Sequence, residues 1–306
     1  MNRQLFVVSG ALVMVATFAA SSDTRRAAAW STPVNLGAAI NSPDSDSGPA
    51  LSRDRLTLYF ASTRPGGFGA ADLYVARRAR ADCAWDWPVN LGPVINTASF
   101  ELTPALSRDE HQLFFVSPRA SGLADIWVSY RGNVHDDFGW QPPVMLGPAI
   151  NTTTAIDSKP SYFQSRKGGL PQLFFHSNRP GGAGGQDIYV ADAFGAAVLI
   201  PELNTPQNDA GATISRGGLE MFFQSDRPGG FGATDLWVSV RSSVFSPWSA
   251  PENLGDVVNS AFDDQIAGLS AGGDTLLFTS NRPGGFGMAD IYMTTRAARA
   301  GATRGM

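Results

Sequence analysis

The amino-acid sequence predicts an all-β protein, a five-bladed β-propeller with four-stranded antiparallel blades. One observation is that a single pattern, seen clearly in SNRPGGFGMADIY at 280–292, occurs five times along the chain. A second is that the copies follow one another about every 55 residues, and each contains short aromatic and β-branched runs between Gly and Pro turns. A strand-rich period of this length is typical of propellers, in which neighbouring blades bury each other's faces.

Four strands are predicted in each repeat, and the second copy displays them most clearly. They are residues 103–107, 112–117, 125–130 and 140–146, which are rich in strand-forming residues and bounded by turn residues. An apolar triplet recurs in the second strand of every copy, as LYF at 58–60 in the first. We expect these triplets to pack one blade against the next.

The N-terminal strand is predicted to complete the last blade. The fifth copy stops after its third strand at 290–295, whereas WSTPVNL at 30–36 repeats the outer-strand pattern of WPVNL at 87–91. Pairing of 30–36 with 290–295 would close the ring and remove an exposed sheet edge. We therefore assign the propeller to residues 30–296 and a C-terminal tail to 297–306.

The first 29 residues are predicted to be a signal peptide and linker. A short positive start is followed by an apolar run of about 16 residues at 5–20 and then by small residues, as in secretory signals. The run is shorter than the ~20 residues of a spanning helix, so no stable membrane span is expected. The prediction is export to the periplasm or beyond.

Composition and motifs argue against several functions. The formal net charge is −4 and only 16% of residues are charged, so no basic face for nucleic acid is expected. The three histidines occupy unrelated repeat positions, no GxSxG elbow is present, and the single cysteine, Cys83, has no metal-binding partner at a usable spacing. The sequence thus predicts no catalytic residue, no metal and no cofactor.

The segment PALSRDRLTLYFASTRPGGFGAADLYVARR at 49–78 resembles the WD40-like β-propeller repeat family, whose repeats also occur in TolB. The resemblance covers all five copies, residues 30–296. It implies an exported bacterial propeller of the envelope or the secreted fraction, with a protein or peptide partner. No counterpart of the α/β domain that precedes the repeats in TolB is predicted, so the resemblance does not imply TolB's own partners.

Strand order predicts which face carries long loops. The LGxxIN segment before each inner strand and the RPGG loop after each second strand open on the same face, and loops on a rigid scaffold commonly carry binding residues. One acid and one Arg per repeat lie there. These ten residues are the candidate binding ring: Asp46, Glu101, Asp157, Asp209, Asp264, Arg64, Arg119, Arg179, Arg227 and Arg282.

Two interpretations of the ring are possible. The five carboxylates could converge on the axis as a site for a cation, or each could pair with an Arg. Two carboxylates ~8 Å apart repel by about 2 kcal/mol at an effective dielectric constant of 20, whereas an acid and an Arg at ~4 Å attract by about 4 kcal/mol. The magnitudes favour pairing, a structural role.

A further Asp opens the third strand of every repeat, after the Gly-rich loop. Its repetition favours an Asx-type turn that accepts loop N–H groups over a catalytic role. The five residues are Asp72, Asp125, Asp187, Asp235 and Asp290.

The function that these observations favour is a non-catalytic scaffold that binds a protein or ligand in the bacterial envelope. The alternative is a glycoside-active or sugar-binding propeller with an acidic site in its central channel, since five-bladed propellers include glycosidases with channel carboxylates. The seven tryptophans could bind sugars, but such positions more often pack blades.

Overall fold

The computed structural model describes residues 29–165 and 169–297. In this part of the chain every regular element is a β-strand, and the strands form five antiparallel sheets of four. Inner strands of neighbouring sheets contact one another in a closed ring. The predicted five-bladed all-β propeller is confirmed. The predicted signal segment lies outside the described residues apart from Ala29, as does the tail beyond residue 297.

Each blade runs from an inner to an outer strand. The first consists of β2 (Asp46–Leu51), β3 (Thr57–Ser62), β4 (Asp72–Arg77) and β5 (Val89–Asn90). The second consists of β6 (Leu102–Leu106), β7 (Gln112–Ser117), β8 (Asp125–Tyr130) and β9 (Val144–Met145). The third consists of β10 (Asp157–Phe163), β11 (Gln172–Ser177), β12 (Asp187–Asp192) and β13 (Ala197–Leu199). The fourth consists of β14 (Asp209–Ile214), β15 (Glu220–Ser225), β16 (Asp235–Val240) and β17 (Glu252–Asn253).

The fifth blade joins the two ends of the propeller. Its strands are β18 (Asp264–Leu269), β19 (Thr275–Ser280), β20 (Asp290–Thr295) and, as the outer strand, β1 (Val34–Asn35). Val34 pairs with Met293, and the Ser31 N–H donates to the Thr295 carbonyl at 2.7 Å. The predicted closure by the N-terminal strand is confirmed.

The second strand of each blade packs against both neighbouring blades. In β3, Leu58 and Phe60 lie in a cluster with Leu277 of the fifth blade, whereas Tyr59 packs with Phe115 of the second. Alternate residues of a strand point to opposite faces, so one apolar triplet fills two interfaces. The predicted packing role of these triplets is confirmed.

Outer strands are shorter than the sequence patterns suggested. The run predicted at 140–146 contributes only Val144 and Met145 to the sheet. Proline residues occupy 142 and 143, and a proline also directly precedes β1, β5 and β17. Because proline has no N–H to donate to a ladder, each of these outer strands begins just after it.

Candidate functional site

The acid of each repeat forms a short ion pair with the Arg of the same repeat. The acid oxygen and guanidinium nitrogen are 2.7 Å apart in Asp46–Arg64, 3.1 Å in Glu101–Arg119, 2.6 Å in Asp157–Arg179, and 2.5 Å in both Asp209–Arg227 and Asp264–Arg282. All five carboxylates are fully buried. The ten residues thus form five separate pairs, one in each blade.

The first blade shows how such a pair is held. One oxygen of Asp46 accepts from the Ser42 N–H and hydroxyl, and the other accepts from Arg64. The Arg64 guanidinium also donates to the Ser62 hydroxyl and lies 5.3 Å from the ring centre of Phe60. These oxygens already have donors and lie away from solvent, which accounts for a structural role. A binding role for the ring stays a prediction.

Each repeat Arg also lies against an aromatic ring of the third strand, 4.9 to 5.2 Å from its centre. The ring belongs to Tyr in three blades and to Trp in the others: Tyr74, Trp127, Tyr189, Trp237 and Tyr292. Trp127 and Trp237 therefore stack on the protein's own cations.

The Asp that opens each third strand binds the preceding loop. Asp72 accepts hydrogen bonds from the Phe68 and Gly69 N–H groups and from the Asn90 amide. A Cβ placed on Gly67 would lie 2.0 Å from the Asp72 carboxylate, so the turn needs glycine there. This geometry agrees with the structural role that the sequence favoured.

A cavity of about 170 Å³ opens on the axis at the face opposite the long loops. It is formed by the last residues of the inner strands and by the turns that follow them. We call it the funnel; its wall includes Pro49, Leu51, Pro104, Leu106, Pro160 and Tyr162. Sequence reasoning favoured the long-loop face, so it did not identify this cavity.

Arginine side chains line the rim of the funnel. A serine follows each of these inner strands directly, and the next residue is Arg53, Arg108 or Arg216. The fifth repeat has Ala271 at that position. The corresponding Arg166 of the third repeat lies outside the described residues. The Glu110 carboxylate also lines the rim and accepts from the Arg53 N–H at 2.5 Å. Among the described residues that line the funnel, the charged ones are thus three arginines and one glutamate.

A smaller cavity of about 20 Å³ lies deeper on the same axis and shares Pro104, Pro160 and Thr213 with the funnel. We call it the inner pocket, and its wall includes Thr103 and Lys159. The Lys159 Nζ donates to the Gln224 Oε1 at 2.7 Å. Burial lowers the pKa of Lys159 to about 8.

His176 lies beside this region, fully surrounded by protein. Its Nδ1 accepts from the Gly211 N–H at 3.2 Å. Burial, followed by the nearby charge of Lys159, lowers the pKa of His176 to about 3. The imidazole is therefore neutral at physiological pH. Sequence reasoning missed both residues, although one signal was present: Lys159 is one of only two lysines in the chain.

Tryptophans near the outer strands are covered by arginines. The guanidinium carbons of Arg78 and Arg241 lie 4.2 Å from the ring centres of Trp85 and Trp248, and the Trp rings are buried. Such rings have no open face for a sugar. Trp87, by contrast, is 72% exposed.

By its fold, the chain is a five-bladed β-propeller, and solved structures share that fold. No family model and no curated protein matches the sequence. A TolB structure from Agrobacterium tumefaciens matches with 18% identity and a TM-score of 0.50, over 83% of this chain and 78% of that one. The catalytic domain of a GH62 α-L-arabinofuranosidase from Coprinopsis cinerea matches with 13% identity and a TM-score of 0.53, over 88% and 97%. A GH43_1 enzyme from Xanthomonas citri, complexed with xylose, matches with 16% identity and a TM-score of 0.55, over 89% and 92%.

The part of the chain that the structure describes lacks two further features. In residues 29–165 and 169–297, no helix is long and apolar enough to cross a membrane. Within the same ranges, no group of three His, Cys, Asp or Glu side chains is placed to hold a metal ion.

Proposed function

We propose that this chain is an exported, non-catalytic binding propeller that receives an acidic segment of a partner protein at the arginine-rimmed funnel. The observation that carries the proposal is the funnel itself. It is a preformed concave site on the axis, walled by regular strands rather than by long loops. Ligands favour concave, largely preformed sites that have a few polar groups at fixed positions.

The chemistry of the rim supports an acidic ligand. Arg53, Arg108 and Arg216 bring guanidinium groups to the rim, and the Arg108 group also donates to the Gln164 carbonyl at 2.6 Å. Guanidinium groups match carboxylate oxygens in shape and charge. Among the described lining residues, Glu110 is the one carboxylate, and it already accepts from a backbone N–H. An approaching anion therefore meets more positive than negative charge, which speeds association at low salt.

The alternative is a glycoside-active or sugar-binding propeller with a channel acidic site. Its support is the fold shared with GH43 and GH62 enzymes. Hydrolysis of a glycosidic bond commonly needs two carboxyl groups about 5 to 9.5 Å apart. Among the described residues that line the funnel, Glu110 is the one carboxylate. The binding function therefore has the better support.

Fluorescent poly-glutamate and poly-lysine peptides of equal length test the proposal. We expect the full chain to bind poly-glutamate only, and the binding to weaken as salt rises because exposed charges are screened. The double variant Arg53→Gln/Arg216→Gln should lose about tenfold in affinity, the equivalent of two surface ion contacts. Arg80→Gln is the matched control, because Arg80 is exposed and pairs with Asp82 outside the funnel.

Two results would overturn the proposal. One is poly-glutamate binding that the double variant leaves unchanged. The other is hydrolysis of chromogenic arabinofuranosides or xylosides that Glu110→Gln abolishes, which would establish the enzymatic alternative instead. Export is the remaining part of the proposal and rests on the sequence of residues 1–29. N-terminal sequencing of the protein recovered from a bacterial periplasm checks it.

A further inference from the structure

The inner pocket combines a cation and an unsatisfied hydroxyl. The Thr103 Oγ1 is buried and has no hydrogen-bond partner. Lys159 lines the same pocket, and its ammonium group has three donors, of which one is matched by Gln224. Buried polar groups without partners are rare in folded proteins and need an explanation.

Thr103 and Lys159 are two of the six described non-glycine residues that have a positive φ. Each inner strand shifts register near its middle, and in two blades the shift is made by Gly48 and Gly211, with φ of 59° and 66°. Thr103 and Lys159 occupy the equivalent positions with φ of 50° and 49°. For a β-branched residue such as threonine this conformation is a genuine outlier. Strain of this kind clusters at ligand sites, where it is part of the function.

The charge of Lys159 is not balanced locally. Among the described residues, no carboxylate lies within 4.0 Å of its ammonium group. Burying an unpaired ammonium group is costly, and the lowered pKa of Lys159 reflects that cost. An anion that enters along the axis would supply the missing charge.

We propose that Lys159 and Thr103 bind one carboxylate group, presented by a ligand that occupies the funnel. The ammonium group and the hydroxyl can both donate, as a carboxylate requires. A cavity of about 20 Å³ has space for little more than one water-sized group, so only the carboxylate end of a ligand would enter it. The inference deepens the proposed function and depends on it, since the pocket adjoins the funnel through Pro104, Pro160 and Thr213.

NMR of the full chain labelled with [ε-¹³C]lysine tests the site directly. The chain has two lysines, Lys159 and Lys167, so two signals are expected, and Lys167→Arg assigns them. Sodium acetate should shift the Lys159 signal and raise its pKa, because a bound carboxylate favours the charged ammonium. Acetamide and sodium chloride should do neither. The Lys167 signal is the internal reference.

Variants at Thr103 show whether acetate binds through the Thr103 hydroxyl or is only attracted by the charge of Lys159. Thr103→Val should weaken acetate binding about tenfold by removing one hydrogen bond to a charged group. Thr103→Ser keeps the hydroxyl and should keep the affinity. An acetate response equal to that of chloride, or one that Thr103→Val leaves unchanged, would overturn the inference.

Two further arms identify the source of the carboxylate. A peptide with a free C-terminus is compared with the same peptide amidated, and glucuronate is compared with glucose. A Lys159 response confined to the free-acid peptide supports a protein terminus, whereas one confined to glucuronate supports an acidic sugar. If poly-glutamate binds at the rim and acetate leaves Lys159 unmoved, the proposed function stands and this inference fails. If acetate binds and poly-glutamate does not, the pocket stands and the protein-binding function fails.

Discussion

Lys159 carries a charge that opposes folding, and this effect has a definite pH dependence. Its pKa of about 8 in the folded protein lies below the ordinary lysine value of about 10.4. Below pH 8 the residue is protonated in both states and the full penalty is present. As pH rises from about 8 to about 10.4, only the unfolded state keeps the proton, so stability rises.

Substitution of Lys159 by Met is therefore expected to stabilise the protein at pH 7. Each pKa unit corresponds to about 1.4 kcal/mol, so the free energy of unfolding should increase by the order of 3 kcal/mol. The gain should vanish above pH ~10.4, where the wild-type lysine is neutral in both states. Urea unfolding at pH 7 and pH 10.5 measures both. Lys167→Met is the matched substitution, and equal stability of Lys159→Met and wild type at pH 7 would contradict the argument.

The acid–Arg pairs of the repeats and the unpaired Lys159 differ in how far the sequence could predict their surroundings. The pairing of Asp46 with Arg64 follows from a fixed spacing within every repeat, so five copies support one inference. The placement of Lys159 has no such support. It depends on a shift in register at a positive φ, and the equivalent positions hold Gly48 and Gly211. A residue that departs from the repeat was thus visible in the sequence, but its surroundings were not.

Asparagines of the long-loop face tie each loop between blades to the third strand of the preceding blade. The Asn96 side chain accepts from the Leu73 N–H at 2.8 Å and donates to the Leu73 carbonyl at 3.0 Å. The same pair of bonds is made by all five: Asn41 to Ile291, Asn96 to Leu73, Asn151 to Ile126, Asn204 to Ile188 and Asn259 to Leu236. The amide thus satisfies a strand edge as another strand would.

Replacing Asn96 by Ala should destabilise the protein by about 2 kcal/mol, because the buried Leu73 N–H loses its partner, whereas the Leu73 carbonyl still accepts from the Leu91 N–H. Thermal and urea unfolding measure the change. Asn208→Ala is the control, since the Asn208 side chain is exposed and bonds to Asp226 at the surface. Its effect should stay within about 0.5 kcal/mol. Equal losses of stability in the two variants would mean that the bonds between Asn96 and Leu73 contribute little.

The strands of a blade also differ in how well the sequence predicts their bounds. The second and third strands match their predicted bounds in the second copy, 112–117 and 125–130, because both are buried along nearly their whole length. The outer strand at 140–146 was predicted too long, since its aromatic and apolar residues resemble a strand while its prolines prevent pairing. The apolar pattern alone does not show which residues have a backbone N–H for strand pairing.

The position of the funnel is a property of the whole ring. Five blades meet around one axis, and the width of the channel at each level depends on how their inner strands tilt and bulge together. No single repeat contains that information. The sequence therefore predicted the number of blades and their closure, but it favoured the long-loop face over the face where the funnel opens.

Closure makes the whole ring depend on its first strand. Trp30 packs edge-on against Phe222 of the fourth blade at 5.9 Å between ring centres and lies 4.6 Å from the Arg296 guanidinium carbon. Asn35 donates to the Asp290 carboxylate at 2.9 Å. Segment 30–37 thus holds the fifth blade and touches the fourth, so its loss opens the ring and exposes a sheet edge.

Deleting residues 30–37 should lower the melting temperature by roughly 10 °C or more, since the packing of the partly buried Trp30 and the pairing of β1 with β20 are both lost. The opened ring should also lose its single cooperative transition, because each blade is then supported only by sequential neighbours. Calorimetry measures both effects. Trp30→Ala is expected to reproduce part of the loss, whereas Trp87→Ala, at an exposed position, is expected to leave the melt unchanged. An unchanged melt after the deletion would show that the ring is stable without its N-terminal strand.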